Sequence, residues 1–112
     1  MDNIKNDKYY FAKCLDNISQ IEEYKKQFNS YEEFINNTLV LDAIMFRLVQ
    51  LIENIKGISI IFKEENSFIP WGDIMGFRNG IVHEYGKTDY SEVYNIIMND
   101  LVSLKLLFER SL

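Results

Sequence analysis

Arg78-Asn79-Gly80-Ile81-Val82-His83-Glu84-Tyr85 gathers a permanent cation, an amide, an imidazole and a phenol into eight residues. An imidazole titrates near neutral pH, so it can both take and give a proton. A guanidinium presents a planar fork of donors that matches phosphate oxygens. Together they are what acid–base chemistry on a phosphodiester needs. The surrounding run from Ile69 to Gly86 also holds the chain's only proline (Pro70), only tryptophan (Trp71) and only histidine (His83). Elsewhere the chain reads as amphipathic helix.

On an ideal helix Asn79 and His83 are four apart and stack on one face. Arg78 and His83 are five apart, a separation of about 140°. They converge if Gly80 permits a local widening, if the Arg78 stem curls round, or if a second copy of the chain completes the site. Tyr85 lies about 200° from His83 unless Gly86 ends the helix and releases it. A two-fold dimer that joins two motifs across one self-complementary seam resolves the difficulty. Plainer roles stay open: Arg78 as an ion-pair partner of Asp73 or Glu84, Tyr85 as a half-buried aromatic, and His83 as a structural or exposed side chain.

The elements that must position these groups follow from apolar spacing. Ile4, Phe11, Leu15, Ile18 and Ile21 recur at three- and four-residue steps, which predicts a helix from about Ile4 to Gln27. Ser30 and Glu33 form an S-x-x-E capping box, the start signal of a second helix. Phe34, Thr38, Leu41, Met45, Leu48, Ile52, Ile55 and Phe62 then keep the rhythm to about Lys63, with Gly57 as a point of bending. Asp42 and Glu53, three turns apart, share the margin of that stripe. They are either solvated, pairing with Arg47 and a lysine, or they line a subunit interface that faces the Arg78 segment; Trp71 joins them as a candidate cleft or interface residue.

Lys63 to Ser67 reads as a polar loop. Pro70 suits the first position of a third helix, which runs through the motif to about Tyr85, with Gly86 as its stop. Asp89 and Glu92 repeat the capping logic for a last helix carrying Tyr90, Val93, Tyr94, Ile97, Leu101, Leu104 and Phe108. No stretch alternates as a strand would. The expected architecture is all-α: a single domain over residues 1–112, an antiparallel four-helix bundle with a long second helix.

Composition narrows the function. The hydrophobic fraction of 47% and charged fraction of 26% fit a globular domain of this length. No apolar run approaches the roughly 20 residues of a membrane span, and the N-terminus lacks a signal-peptide layout, so the expected location is cytoplasmic. The single Cys14 excludes an internal disulfide and sits on an apolar helical face as a small hydrophobe. A net charge of −5 argues against a broad phosphate-binding surface, though not against a small cationic pocket. There is no H-E-x-x-H, no glycine-rich phosphate loop, no second histidine for a metal and no G-x-S-x-G context for Ser67 or Ser91. What remains points to cofactor-free and metal-free work on phosphates.

The eight-residue string resembles the R-x-x-x-x-H-x-Y motif of the HepT-like toxins in the all-helical HEPN ribonuclease superfamily. The run Ile69-Pro70-Trp71-Gly72-Asp73-Ile74-Met75-Gly76-Phe77 resembles that family's I-P-W-x-x-I-x-G-x. Asp42-Ala43-Ile44 and Leu51-Ile52-Glu53 resemble its D-A-V and I-G-E strings, with Ile52 where the family usually has glycine. The last helix matches in placement, so the resemblance covers nearly the whole chain. It implies a homodimeric bacterial endoribonuclease of a type VII toxin–antitoxin pair, which cuts RNA without metal in a cleft between subunits. Its partner would be an MntA-like nucleotidyltransferase antitoxin that silences it by transferring AMP to Tyr85. His83 would be the acid–base group, Arg78 the holder of the scissile phosphate, and Asn79 an orienting residue. A second reading, from another class, is the non-catalytic substrate-binding subunit of a split nucleotidyltransferase, in which Arg78 and His83 only contact the substrate.

Overall fold

The computed structural model describes residues 4–81 and 87–111; His83, Tyr85 and the expected helix stop at Gly86 lie outside the described residues. The first helix, α1 (Ile4–Tyr24), buries Phe11, Cys14, Ile18 and Ile21 along one stripe. That stripe packs lengthwise against α3 (Thr38–Lys56), which buries Leu41, Ile44, Leu48, Leu51, Ile52 and Ile55. Each such side chain contributes roughly 1.5–3 kcal/mol through removal from water. The Cys14 sulfur sits 4.0 Å from the Leu51 carbonyl. Burial pushes its thiol up to about 12, outweighing the opposing pull of Lys63, so the group is a spacer and not a nucleophile.

The single long helix expected from Ser30 to Lys63 is broken twice. Its start is as expected: the Ser30 hydroxyl accepts from the Glu33 N–H at 3.1 Å, and Glu33 accepts in turn from the Asn29 N–H at 2.9 Å. The helix that follows, α2 (Tyr31–Asn36), stops after six residues. Asn37 leaves the helical region, and its side-chain oxygen accepts from the Val40 N–H at 3.3 Å, which restarts the chain as α3. A Ser/Asn side chain that outcompetes the backbone for a local N–H is what divides an otherwise continuous apolar rhythm. Thr38, placed in the buried stripe by spacing, is consequently exposed.

The second break follows Lys56, where Gly57, Ile58 and Ser59 lead into α4 (Ile60–Glu65). Lys63, Glu64 and Glu65, expected in a loop, complete this helix. A Cβ on Gly57 would stand 2.7 Å from the Tyr10 ring of α1, so any larger residue there has to push that ring aside. Ser59 caps α4 by accepting from the Phe62 N–H at 3.1 Å. The cap is itself held by Asp7 of α1, which is only 5% exposed. The carboxylate oxygens of Asp7 accept from the Ser59 N–H at 2.8 Å and from the Ser59 hydroxyl at 2.7 Å. Asp7→Asn sets an amide donor against those donors and is expected to lower stability by about 1–3 kcal/mol, measurable as a fall in the urea midpoint with an unchanged m-value.

Beyond a turn, the Pro70 carbonyl accepts the first helical bond, from the Ile74 N–H at 3.1 Å, and α5 (Trp71–Ile81) begins. The Ile81 carbonyl then accepts from the Asp89 N–H at 2.7 Å, so the chain returns to the end of α5 before α6 (Tyr90–Asn95). Asp89 caps α6 as expected, accepting from the Glu92 N–H at 3.1 Å. The last helix is less regular than its spacing predicts: residues Ile96–Asp100 form a π-helical turn before α7 (Leu101–Arg110). Such a turn displaces backbone carbonyls from their helical partners. Lys25, paired with Glu22 at 2.9 Å, donates to the Ile97 carbonyl at 2.9 Å.

Val93, Ile97, Leu101, Leu104 and Phe108 are buried as their spacing predicts, whereas Tyr90 is exposed. Among the described residues every regular element is helical, with no strand, around one continuous apolar core. No described helix is long and apolar enough to cross a membrane.

Candidate functional site

The position of Arg78 is set by its helix. Ile74 and Ile81, four residues before and three after it, are buried and fasten α5 to the core. Arg78 therefore stands 40–60° round the helix from that stripe by ideal geometry, at about its margin, and it is exposed. Its cation also lies in the last turn of α5, where the helix dipole favours positive charge.

Arg78 and Ile81 form one wall of an open cleft of about 250 Å³; Met45, Val49, Ile52, Glu53 and Lys56 of α3 form the other. Glu53 and Lys56 are bound to each other at 2.9 Å, with both side chains about half exposed. Arg78 makes no ion pair among the described residues, so the Asp73 alternative is not realised, and the Glu84 alternative lies outside the described residues. Asp73 lines a different cavity, of about 330 Å³, with Pro70, Phe77 and Asp100.

Glu53 thus faces the Arg78 segment, and its lysine partner is Lys56. Asp42 is exposed on α3 and does not line the cleft. Arg47, the other expected partner of this pair, instead turns to α1, 3.1 Å from the Asn17 amide oxygen and 3.7 Å from Asp16. Trp71 also lies away from the cleft. Its indole N–H is directed at the Lys63 and Asn66 carbonyls, each at 3.2 Å, and its ring packs against Phe62 and Phe108. Trp71 therefore fastens the start of α5 to the end of α4. Asn79 is exposed beside Arg78; His83 and Tyr85 lie outside the described residues.

Four cleft residues escape notice in the sequence: Met45, Val49, Ile52 and Lys56. They share a face of α3 with Glu53, which the i, i+4, i+7, i+8, i+11 spacing from Met45 would reveal once the Arg78 helix is known to pack there. Ile52 is the informative one. It stands where the resemblance expects glycine, is 4% exposed and supplies a wall of the cleft.

Among the described residues the cleft carries two cations against one carboxylate, an excess of one positive charge in a chain of net charge −5. With a guanidinium fork that is unpaired among the described residues and an apolar wall, it can hold a single phosphate together with a flat ring.

A family model described as Ribonuclease HepT-like matches residues 14–111. A candidate RNase of Methanocaldococcus jannaschii is 29% identical over 98 residues, 88% of this chain and 89% of that protein. A second candidate RNase from the same organism is 28% identical over 103 residues, covering 92% of this chain and 84% of its own. A candidate ribonuclease HepT of Thermococcus cleftensis is 26% identical over 106 residues, 95% of this chain and 96% of that protein. No solved structure matches the chain.

Proposed function

Taking as premise that the chain belongs to the ribonuclease HepT-like family, we propose that it is a metal-independent endoribonuclease whose centre is Arg78 and His83. The observation that carries this reading is the Arg78 guanidinium, exposed in the cleft and unpaired among the described residues. A guanidinium that no described carboxylate holds keeps its planar fork available for phosphate oxygens. Ile81 lines the same cleft, and His83 follows it by two residues in the chain.

In this mechanism Arg78 grips the scissile phosphate and offsets charge as the 2′-oxygen attacks phosphorus and the bond to the 5′-oxygen breaks. His83 takes the 2′-hydroxyl proton or supplies one to the leaving oxygen. Asn79 orients the substrate or the imidazole. The finer architecture belongs to the same reading: an antiparallel four-helix bundle formed by α1, α3, α5 and the α6–α7 segment, paired two-fold. Leu39 and Phe46 on α3, the helix that walls the cleft, are 82% and 58% exposed. Apolar side chains left bare beside a site are what a second copy would cover. The pair would be a bacterial, cytoplasmic toxin silenced when an MntA-like nucleotidyltransferase transfers AMP to Tyr85. The added phosphate would repel RNA from a cleft whose positive excess is a single charge.

The test is degradation of RNA by the purified protein in EDTA, wild type against His83→Ala. Cleavage lost with the substitution supports the assignment, and cleavage that survives it ends it. Absence of cleavage by either protein favours the non-catalytic binding subunit, the reading that the acidic net charge supports. Regulation is checked by incubation with the nucleotidyltransferase, ATP and magnesium: the expected mass gain of one or more adenylyl groups disappears in Tyr85→Phe.

A further inference from the structure

The cleft beside Arg78 is built for more than a phosphate. Resting on the RNA-cleaving reading above, we propose that it is a base-binding subsite that selects guanine next to the scissile phosphate, with Glu53 as the specificity-determining residue.

Size sets the class of occupant. At about 250 Å³ the cleft lies below the roughly 300–1,000 Å³ of pockets that enclose whole small molecules, which suits one planar ring and not a nucleoside. Its walls are Met45, Val49, Ile52 and Ile81, and a thioether and branched aliphatics are good partners for the face of an aromatic ring. A purely apolar groove would be ambiguous, but this one has polar groups at defined places. Arg78 supplies the phosphate contact that would tether the attached nucleotide.

Glu53 and Lys56 then discriminate among bases. A carboxylate offers acceptors only, and an ammonium donors only. The Lys56 nitrogen holds Oε2 of Glu53 at 2.9 Å, which orients the carboxylate, while Oε1 has no partner among the described residues. Single-stranded RNA is read on exposed Watson–Crick edges. Guanine presents two adjacent N–H donors, N1 and N2, beside the acceptor O6, which matches a carboxylate next to an ammonium. Adenine and cytosine offer one exocyclic amine beside a ring acceptor, which faces the second carboxylate oxygen unfavourably. Uracil places its one N–H between two carbonyls. For a chain of net charge −5, which gains little from counterion release, a base pocket supplies affinity that phosphate contacts alone would not.

The experiment is an equilibrium titration of the full chain with guanosine, adenosine, cytidine and uridine 3′-monophosphates, paired with mapping of cleavage sites on an RNA of mixed sequence. Guanosine monophosphate is expected to bind about tenfold or more tighter than the others, and cleavage to cluster at guanosines. Glu53→Gln, an exposed substitution, should make the four nucleotides nearly equal and spread the cleavage sites. Arg78→Ala should weaken all four alike. Equal binding by wild type, or a guanine preference that survives Glu53→Gln, overturns the proposal. So does a cleft filled by a second copy of the chain, recognised when no nucleotide binds and Glu53→Gln shifts the sedimentation equilibrium. Guanosine binding without any RNA cleavage sustains the subsite while ending the catalytic reading; cleavage indifferent to base does the reverse.

Discussion

Arg78→Ala is expected to lower kcat for RNA cleavage by about 10²–10³, the effect of removing one preorganised donor to a developing anionic centre. His83→Ala should cost about 10²–10⁴, the usual contribution of a positioned acid or base. Neither loss would come from the fold in the case of Arg78. Its side chain is exposed and makes no ion pair among the described residues, so its removal should leave thermal unfolding within about 0.5 kcal/mol of wild type. Arg78→Lys separates charge from geometry: it retains the cation and loses the two-pronged donor, and an intermediate rate would show that the fork matters. The decisive measurement is the split between kcat and KM. Arg78 also grips the phosphate of bound RNA, so KM should rise, and the fall in kcat beyond that rise is the part of the interaction made only in the transition state. A rise in KM alone would mean that Arg78 binds RNA without accelerating its cleavage, and the catalytic role would be withdrawn.

The placement of Arg78 was legible in the sequence because short-range signals control it. Pro70 opens α5, and Ile74 and Ile81 bury one side of it, so the cation is left at the margin. The caps at Ser30 and Asp89 were legible for the same reason, since each is a side chain reaching a backbone N–H three residues away. What could not be read was long-range. The end of α3 depends on Asp7, fifty-two positions from Ser59, and on the Tyr10 ring against Gly57. In the last helix, Lys25 reaches across the fold to a carbonyl of the π-helical turn, that of Ile97. Asn37 is the intermediate case: its capping bond is local, but the apolar rhythm continues through it and conceals the break.

The same division explains the cleft. Glu53 was visible as a margin residue on α3, yet its neighbours Met45 and Ile52 read as ordinary core positions and Val49 drew no reading. Only the crossing of α5 over α3 leaves them partly uncovered, as the wall opposite Arg78. Asp42, on the same margin, receives no such neighbour. Trp71 shows the converse. As a lone tryptophan beside the motif it reads as a site residue, and its indole N–H instead answers two backbone carbonyls at the α4–α5 corner. Rarity in the sequence marked the region without distinguishing side chains that line the cleft from those that hold the helix.

That distinction gives the second large effect. Phe108→Ala is expected to destabilise the protein by about 3–5 kcal/mol, a large share of the roughly 5–15 kcal/mol that holds a domain of this kind together. Phe108 is fully buried and stacks on Phe11, with ring centroids 4.7 Å apart and planes 18° apart. Its other side meets Trp71 at 5.7 Å, and Phe11 in turn meets Phe62 at 5.3 Å. Truncation removes the ring that Phe11 and Trp71 share and leaves a cavity beneath the start of α5. The melting temperature should fall by more than about 10 °C. Because α5 carries Arg78, activity should fall with it, but through unfolding: at low temperature the folded fraction should cleave with near wild-type kcat, unlike Arg78→Ala, whose defect would be the same at every temperature. A Phe108→Ala protein that melts within a few degrees of wild type would mean that this aromatic cluster is not what fixes α5 to the core.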